Sequence, residues 1–413
     1  MRVLFLNTTD IGGGAAIAAS RLMNALQGKG VETRMLVNQK KGESRYVEPI
    51  DNLFSQKYRF LKERLQIYLI NKCSKHNLFS IDSAISGADI TSHRFFQEAD
   101  IIHLHWINQG FLSFCSLKKI IESGKPIVWT LHDMWEFTGI CHYANKCTFY
   151  KTFCRECPFL KCPAPKDLSY QVFKKKELLY ANHCIHFVAV SSWLAHLAGE
   201  SSLLHTQPIH IIPNALPSSL FSLKDRNKSR KLLGLPDNKK ILVFGAVRID
   251  DPRKGLNQLN NALQNIINKG FFKQNQLHMA LFGGVKDSSV LKNIPIGYTQ
   301  LGFLSQQKIS SLYSAGNIAV VPSLYETFGQ TIIEAQACGC TPVAFTGSGQ
   351  TDIIKHKENG YLAENQSIED LEKGIIWALN NEVCPSQLHK EAIGRFSEDV
   401  VAEHYIKLYK QLI

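Results

Sequence analysis

One stretch limits the fold more than any other. The β-branched run Ile318 to Val321 stops at Pro322, a polar loop carries Glu326, a helical stretch begins near Gln330 and holds Glu334, and Gly339 precedes the next apolar run. That order predicts strand, loop, helix, strand. In an open parallel sheet, ligands sit where such loops leave the carboxyl ends of the strands. The free N–H groups of a helix start, here around Phe328, Gly329, Gln330 and Thr331, favour an anion at that place. Glu326 in the loop and Glu334 in the helix can then reach different parts of one ligand.

A second stretch of this kind lies at the amino end. Arg2 to Leu6 reads as a buried strand that runs into Asp10, Gly12, Gly13 and Gly14 before the helical stretch Ile17 to Leu26. Backbone bare of Cβ atoms can approach a phosphate or sugar closely. The spacing is not G-x-G-x-x-G, and a tight turn is the alternative reading. Val31 to Val37, Ile101 to Trp106 and Pro126 to Leu131 read as further central strands. The last of these ends at His132 and Asp133, where a histidine can touch a ligand, and His105 is a weaker candidate. Phe187 to Leu194 and Ile209 to Asn214 follow, then a polar linker over 218–240.

The chain restarts with Ile241 to Arg248 and a turn-rich loop through Arg253 and Lys254. Met279 to Gly284 supplies another strand, and Thr346 to Asp352 a second loop of small residues. A closing helix carries Val401, Tyr405, Leu408, Tyr409 and Leu412 on one face. With 413 residues, two domains are expected: 1–217, including a cysteine-rich insert at 141–162, then 218–395, with 396–413 as a final helix.

Hydrophobic content of 45% and charged content of 20% are those of a globular protein, neither disordered nor fibrous. A formal charge of +12 points to an anionic partner. No run of eighteen apolar residues is present, and the first residues lack a secretory h-region, so a cytoplasmic protein is expected. Residues 57–76 place Leu61, Leu65, Tyr68 and Leu69 at helical spacing among Lys57, Arg59, Lys62, Arg64, Lys72 and Lys75. Such a helix can lie on an anionic membrane or pack on the core; core packing is the favoured expectation. Cys141, Cys147, Cys154 and Cys157, spaced C-x5-C-x6-C-x2-C, suit a structural zinc ion with Cys162 or His142 as substitutes. Packed thiols, two disulfides and an iron–sulfur cluster are the alternatives.

Seven residues separate Glu326 from Glu334. That spacing, with Pro322-Ser323 before it and Glu334-Ala335 within it, resembles the E-x7-E signature of retaining glycosyltransferases of family 4. The glycine-rich loop looks like the amino-terminal loop of GT-B enzymes, and Ile212-Pro213-Asn214 resembles that family's I-P-N-G segment with Ala215 in place of the glycine. Thr130 to Trp135, leading into four cysteines, is similar to the colanic-acid biosynthesis type. The resemblance implies an α/β GT-B fold, two Rossmann-like doubly wound domains facing a central cleft, with the last helix crossing back to the first domain. It implies transfer of a sugar from a nucleotide-diphosphate donor to a glycan or lipid-linked glycan in surface polysaccharide synthesis, with no nucleic acid as partner. Arg248 and Lys254, or Arg253, would hold the diphosphate, Glu334 the ribose, and Glu326 and His132 the sugar. Phe328, Gly329, Gln330, Thr331, Gly13 and Gly14 would complete donor binding. No Asp-x-Asp occurs, so chemistry without a catalytic cofactor is expected. Peripheral association with the inner face of a membrane would suit a lipid-linked acceptor. A nucleotide-sugar 2-epimerase of the same architecture and a zinc-dependent nucleic-acid-binding protein are the other readings. The positive charge is spread along the chain and not gathered on one face, which counts against the last.

Overall fold

Runs that are apolar at nearly every position become strands buried on both faces, as an all-parallel sheet requires. The computed structural model describes residues 1–381 and 383–413. They form two units, Met1–Pro213 with Val401–Ile413, and Asn214–Val400. Each unit is built on its own parallel sheet, with crossover helices between most successive strands, the Rossmann-like plan.

In the first unit the strands are β1 (Arg2–Thr9), β2 (Glu32–Gln39), β3 (Val47–Pro49), β4 (Ile101–Leu104), β5 (Ile127–Leu131), β6 (His186–Ala189) and β7 (Ile209–Ile211). Their order across the sheet is β3-β2-β1-β4-β5-β6-β7. The chain starts in the middle, builds outward to β3, then returns to the other side of β1 at β4. From the carboxyl-terminal helix (Glu398–Lys410), the Tyr409 hydroxyl meets His103 Nδ1 at 2.6 Å and the Tyr405 hydroxyl meets Thr130 Oγ1 at 3.0 Å. Those buried bonds tie residues 401–413 to the first sheet.

The second unit repeats the scheme with β8 (Lys240–Arg248), β9 (Leu277–Gly284), β10 (Gly297–Gln300), β11 (Ile318–Val321), β12 (Thr341–Phe345) and β13 (Tyr361–Ala363), ordered β10-β9-β8-β11-β12-β13. Leu242, Phe244, Leu281, Ile318, Val320, Val343 and Phe345 form its core with Leu259, Leu263 and Ile266 of the helix Leu256–Asn268. Three apolar residues at i, i+4 and i+7 give that helix a single face to bury.

Two expectations change here. The helix expected at 57–76 runs Leu53–Ile70, and its Leu61, Leu65 and Leu69 point to solvent while Gln56, Glu63, Arg64 and Ile67 are buried. The buried side is fixed by polar partners. Arg59 reaches Asp51, Asn38 and the Gly110 carbonyl, Arg64 binds Asp82 at 2.5 Å, and Glu63 accepts from the N–H groups of Ser83 and Ala84. The zinc expectation gains no support. All four cysteines are free thiols, and among the described residues no three His, Cys, Asp or Glu side chains gather where they could hold a metal. Cys141, Cys154 and Cys157 are buried and Cys147 is half-buried. Cys154 Sγ accepts the Gly139 N–H at 3.1 Å, and burial pushes the Cys141 and Cys154 thiols up to about 11 and about 12, which keeps them protonated.

Candidate active site

In the second unit, three loops meet at the carboxyl ends of β8, β11 and β12. The loop after β8 turns through Gly255, whose φ of 79° places the backbone where a Cβ would stand 2.0 Å from the Pro322 carbonyl oxygen. Only glycine meets both demands there. Leu324 N–H then donates to the Arg253 carbonyl at 2.8 Å, fixing the first loop to the second. On the other side the Glu326 N–H donates to Ser348 Oγ at 3.2 Å and Gly349 N–H to the Glu326 carbonyl at 2.8 Å. A Cβ on Gly349 would lie 2.2 Å from the Thr327 carbonyl oxygen, so the third loop also approaches too closely for a side chain.

This stitching brings Lys254 Nζ within 2.5 Å of Glu326 Oε1 across 72 positions of sequence. Beside them the helix Gln330–Ala337 begins at Gly329, with φ 116°, a residue that has no side chain to cap it. A cation, a carboxylate and a helix amino end therefore share one loop cluster. Glu334 is buried one turn into the helix. Arg248 is exposed and its Nη2 donates to Asp250 at 3.0 Å, while Arg253 is committed to Asp251 by two bonds. The Phe328 ring is buried edge-on against Phe396, so only its backbone is available to a ligand.

The first unit presents a comparable edge. Asp10 accepts the N–H groups of Lys41 and Gly42, anchoring the start of the glycine loop. Gly13, with φ 90°, begins the helix Gly14–Gly28, again without a side-chain cap. Space beside Gly13 and Gly14 is open to 4 Å, so the glycines there serve conformation and exposure, not a tight contact. Ala215 does not have a positive φ, and its alanine costs nothing.

His132 stands at the end of β5, half-buried, with Nε2 2.9 Å from His105 Nδ1. Burial pushes His132 down to about 4 and His105 well below its ordinary range, so both rings are neutral. His105 Nε2 is buried without a partner. A buried orphan N–H is rarer and costlier than an unused lone pair, so His105 carries its proton on Nδ1 and donates to His132. That leaves His132 Nδ1 protonated, a hydrogen-bond donor. Asp133, by contrast, is fully occupied by Trp106, Trp135 and His142. Burial opposes the charge on His142, but Asp133 and Asp82 on either side raise it to about 10.

Sequence reasoning missed Ser348 and Gly349 as partners of the Glu326 loop and the Arg64–Asp82–His142–Asp133 chain of polar contacts. The small residues after β12 were the only signal for the former. Nothing periodic marks the latter.

A family model described as Glycosyltransferase Family 4 matches residues 12–219, and one described as Glycosyl transferases group 1 matches 225–395. An uncharacterized glycosyltransferase of Methanocaldococcus jannaschii is 26% identical over 199 residues, 46% of this chain and 50% of its own. The Escherichia coli protein WcaC, named for colanic acid biosynthesis, is 21% identical over 319 residues, 76% of this chain and 75% of its own. The chain thus spans half the length of the first relative and three quarters of the second. Anabaena HepE, solved in complex with UDP and glucose, superposes with a TM-score of 0.65 at 18% identity over 100% of both chains. At that identity the likeness shows the fold alone, which is GT-B.

Proposed function

Because the chain belongs to glycosyltransferase family 4, we propose that it moves a sugar from a nucleotide-diphosphate donor to a glycan or lipid-linked glycan, with retention of anomeric configuration. The Lys254–Glu326 pair beside the amino end of the helix Gln330–Ala337 carries this reading. Breaking a glycosyl–phosphate bond builds negative charge on the leaving diphosphate and positive charge on the anomeric carbon. Preorganised donors at the phosphate lower that barrier. Lys254, Arg248 and the N–H groups of Gln330 and Thr331 are those donors, Lys254 as a compact charge and Arg248 as a fork. Glu326 orients the transferred sugar, Glu334 holds the ribose, and the Nδ1–H of His132 donates to the sugar. Gly13 and Gly14 offer backbone N–H groups to donor or acceptor.

No side chain stands out as a nucleophile. Retention then follows a front-face route: the acceptor hydroxyl attacks from the side the phosphate leaves, and a phosphate oxygen takes the hydroxyl proton. Two cations at the diphosphate take the part a divalent ion would otherwise play. The complex of HepE with UDP and glucose and the naming of WcaC for colanic acid support a nucleotide-sugar donor and a surface-polysaccharide product. Neither family model describes an epimerase or a nucleic-acid-binding module, so those readings gain no support.

Thermal shift against UDP-, GDP-, ADP- and dTDP-sugars tests the donor class. A ligand at a hundred times its Kd stabilises the folded state by about 2.7 kcal/mol. One nucleotide should raise the melting temperature by several degrees and its sugar conjugate should be consumed only when acceptor is present. Turnover of donor to an epimer without acceptor would refute transfer.

A further inference from the structure

We propose that the outward face of the helix Leu53–Ile70 is a docking surface for a membrane rich in anionic lipid. Ile67 is buried, but five of the helix's other large apolar residues lie on the wrong side for a core helix. Phe54 is 82% exposed, Tyr58 59%, Leu61 62%, Leu65 56% and Leu69 57%. Spacings of four, three, four and four place them on one stripe, about 23 Å long at 1.5 Å per residue. Phe79, 62% exposed, stacks on Phe60 and widens the stripe near its middle.

This helix cannot roll to hide the stripe. Rotation would pull Arg59 from Asp51, Arg64 from Asp82 and Glu63 from the Ser83 and Ala84 N–H groups. Buried charged and polar groups stripped of partners are among the costliest a fold can hold. The polar side is thereby fixed inward and the apolar side outward.

Charge selects the occupant. Lys57 and Lys62 flank the stripe, and Lys72 and Lys75 follow it, all exposed. Glu63 is the only carboxylate in residues 53–79, and it is buried. A second copy of the chain meeting this face by two-fold symmetry would oppose the same lysines to each other. An anionic bilayer meets both demands, accepting the apolar stripe below the headgroups and the lysines at their level. Each lysine near such a surface adds roughly fivefold to partitioning.

Vesicle sedimentation of the full chain tests this without donor or acceptor, so its outcome is separate from that of the transfer reaction. Wild type should sediment with phosphatidylcholine vesicles containing phosphatidylglycerol, weakly with phosphatidylcholine alone, and less as salt rises. Lys57→Gln/Lys62→Gln should bind anionic vesicles about 25-fold more weakly. Leu61→Ser/Leu65→Ser, with an unchanged melting temperature, should lose binding to both. The proposal is overturned if folded wild type ignores anionic vesicles, if the serine variant binds as wild type does, or if wild type is a dimer that this variant converts to monomer.

Discussion

Replacing Lys254 by alanine separates two roles that the same contact could have. The ammonium lies 2.5 Å from Glu326, with 32% and 20% of the two side chains exposed. As an ion pair this open to water it stabilises the fold by about 0.2 to 1 kcal/mol. For a unit of this size that is a loss of no more than about 4 °C in melting temperature. As a donor to the leaving diphosphate it is worth about 2.7 to 4 kcal/mol in the barrier, or about 10² to 10³ in kcat. Lys254→Ala should therefore melt close to wild type and turn over two to three orders of magnitude more slowly, roughly. Glu326→Gln supplies the counterpart. It removes the carboxylate that neutralises Lys254 in the free protein, so nucleoside diphosphate should bind up to about fivefold more tightly, while turnover falls because the sugar is no longer oriented. Initial rates of diphosphate release, calorimetric titration with nucleotide and thermal melts provide the three readouts. If Lys254→Ala keeps kcat within about tenfold of wild type, or loses activity only in step with its melting temperature, Lys254 is a structural ion-pair partner and the leaving-group assignment is wrong.

Glu334→Ala should weaken nucleotide affinity more than it lowers kcat, because the ribose is bound before and during the reaction; the opposite split in steady-state kinetics would move the ribose contact elsewhere. Turnover should be equal with and without EDTA, and strict dependence on added magnesium or manganese would contradict the role of the two cations. Burial, reinforced by the neighbouring Asp82, raises the Glu63 carboxyl to about 8. The folded state then binds a proton that the unfolded chain has lost between about pH 4.3 and about pH 8, so this group's contribution to stability falls with rising pH across that window, by up to about 1.4 kcal/mol per unit. Denaturant midpoints for Glu63→Gln should lack that slope, and parallel curves for variant and wild type would refute the assignment.

Sequence showed most of what depends on local pattern. The strands β1, β2, β4, β5, β6, β7, β8, β9, β11 and β12 were visible as apolar runs. The strands β3, β10 and β13 are three or four residues long and partly exposed, so they carry too little pattern to stand out. Orientation was harder. The spacing of Leu61, Leu65 and Leu69 predicts a shared face, but Arg59, Glu63 and Arg64 decide which face turns inward, through partners at 51, 82, 83 and 84. The cysteine spacing likewise gives proximity along the chain without side-chain direction.

The pairing of Lys254 with Glu326 shows how topology supplies what spacing cannot. Parallel crossovers are right-handed almost without exception, so a sheet that starts in its middle must reverse direction once. In the second unit β8 leads outward to β9 and β10, and the chain returns on the opposite side of β8 at β11. Loops leaving β8 and β11 therefore diverge toward opposite faces and leave a crevice at the carboxyl ends of those two strands. Lys254 is on the first of these loops and Glu326 on the second. The first unit reverses between β1 and β4, and there the loop from Asp10 to Gly14 lies beside the strand end that carries His105, the partner of His132. Each expected site thus falls at its sheet's single point of reversal. A lysine at the end of β10 would carry the same charge but stand at the sheet's edge, two strands from that crevice, where no carboxylate from β11 could meet it.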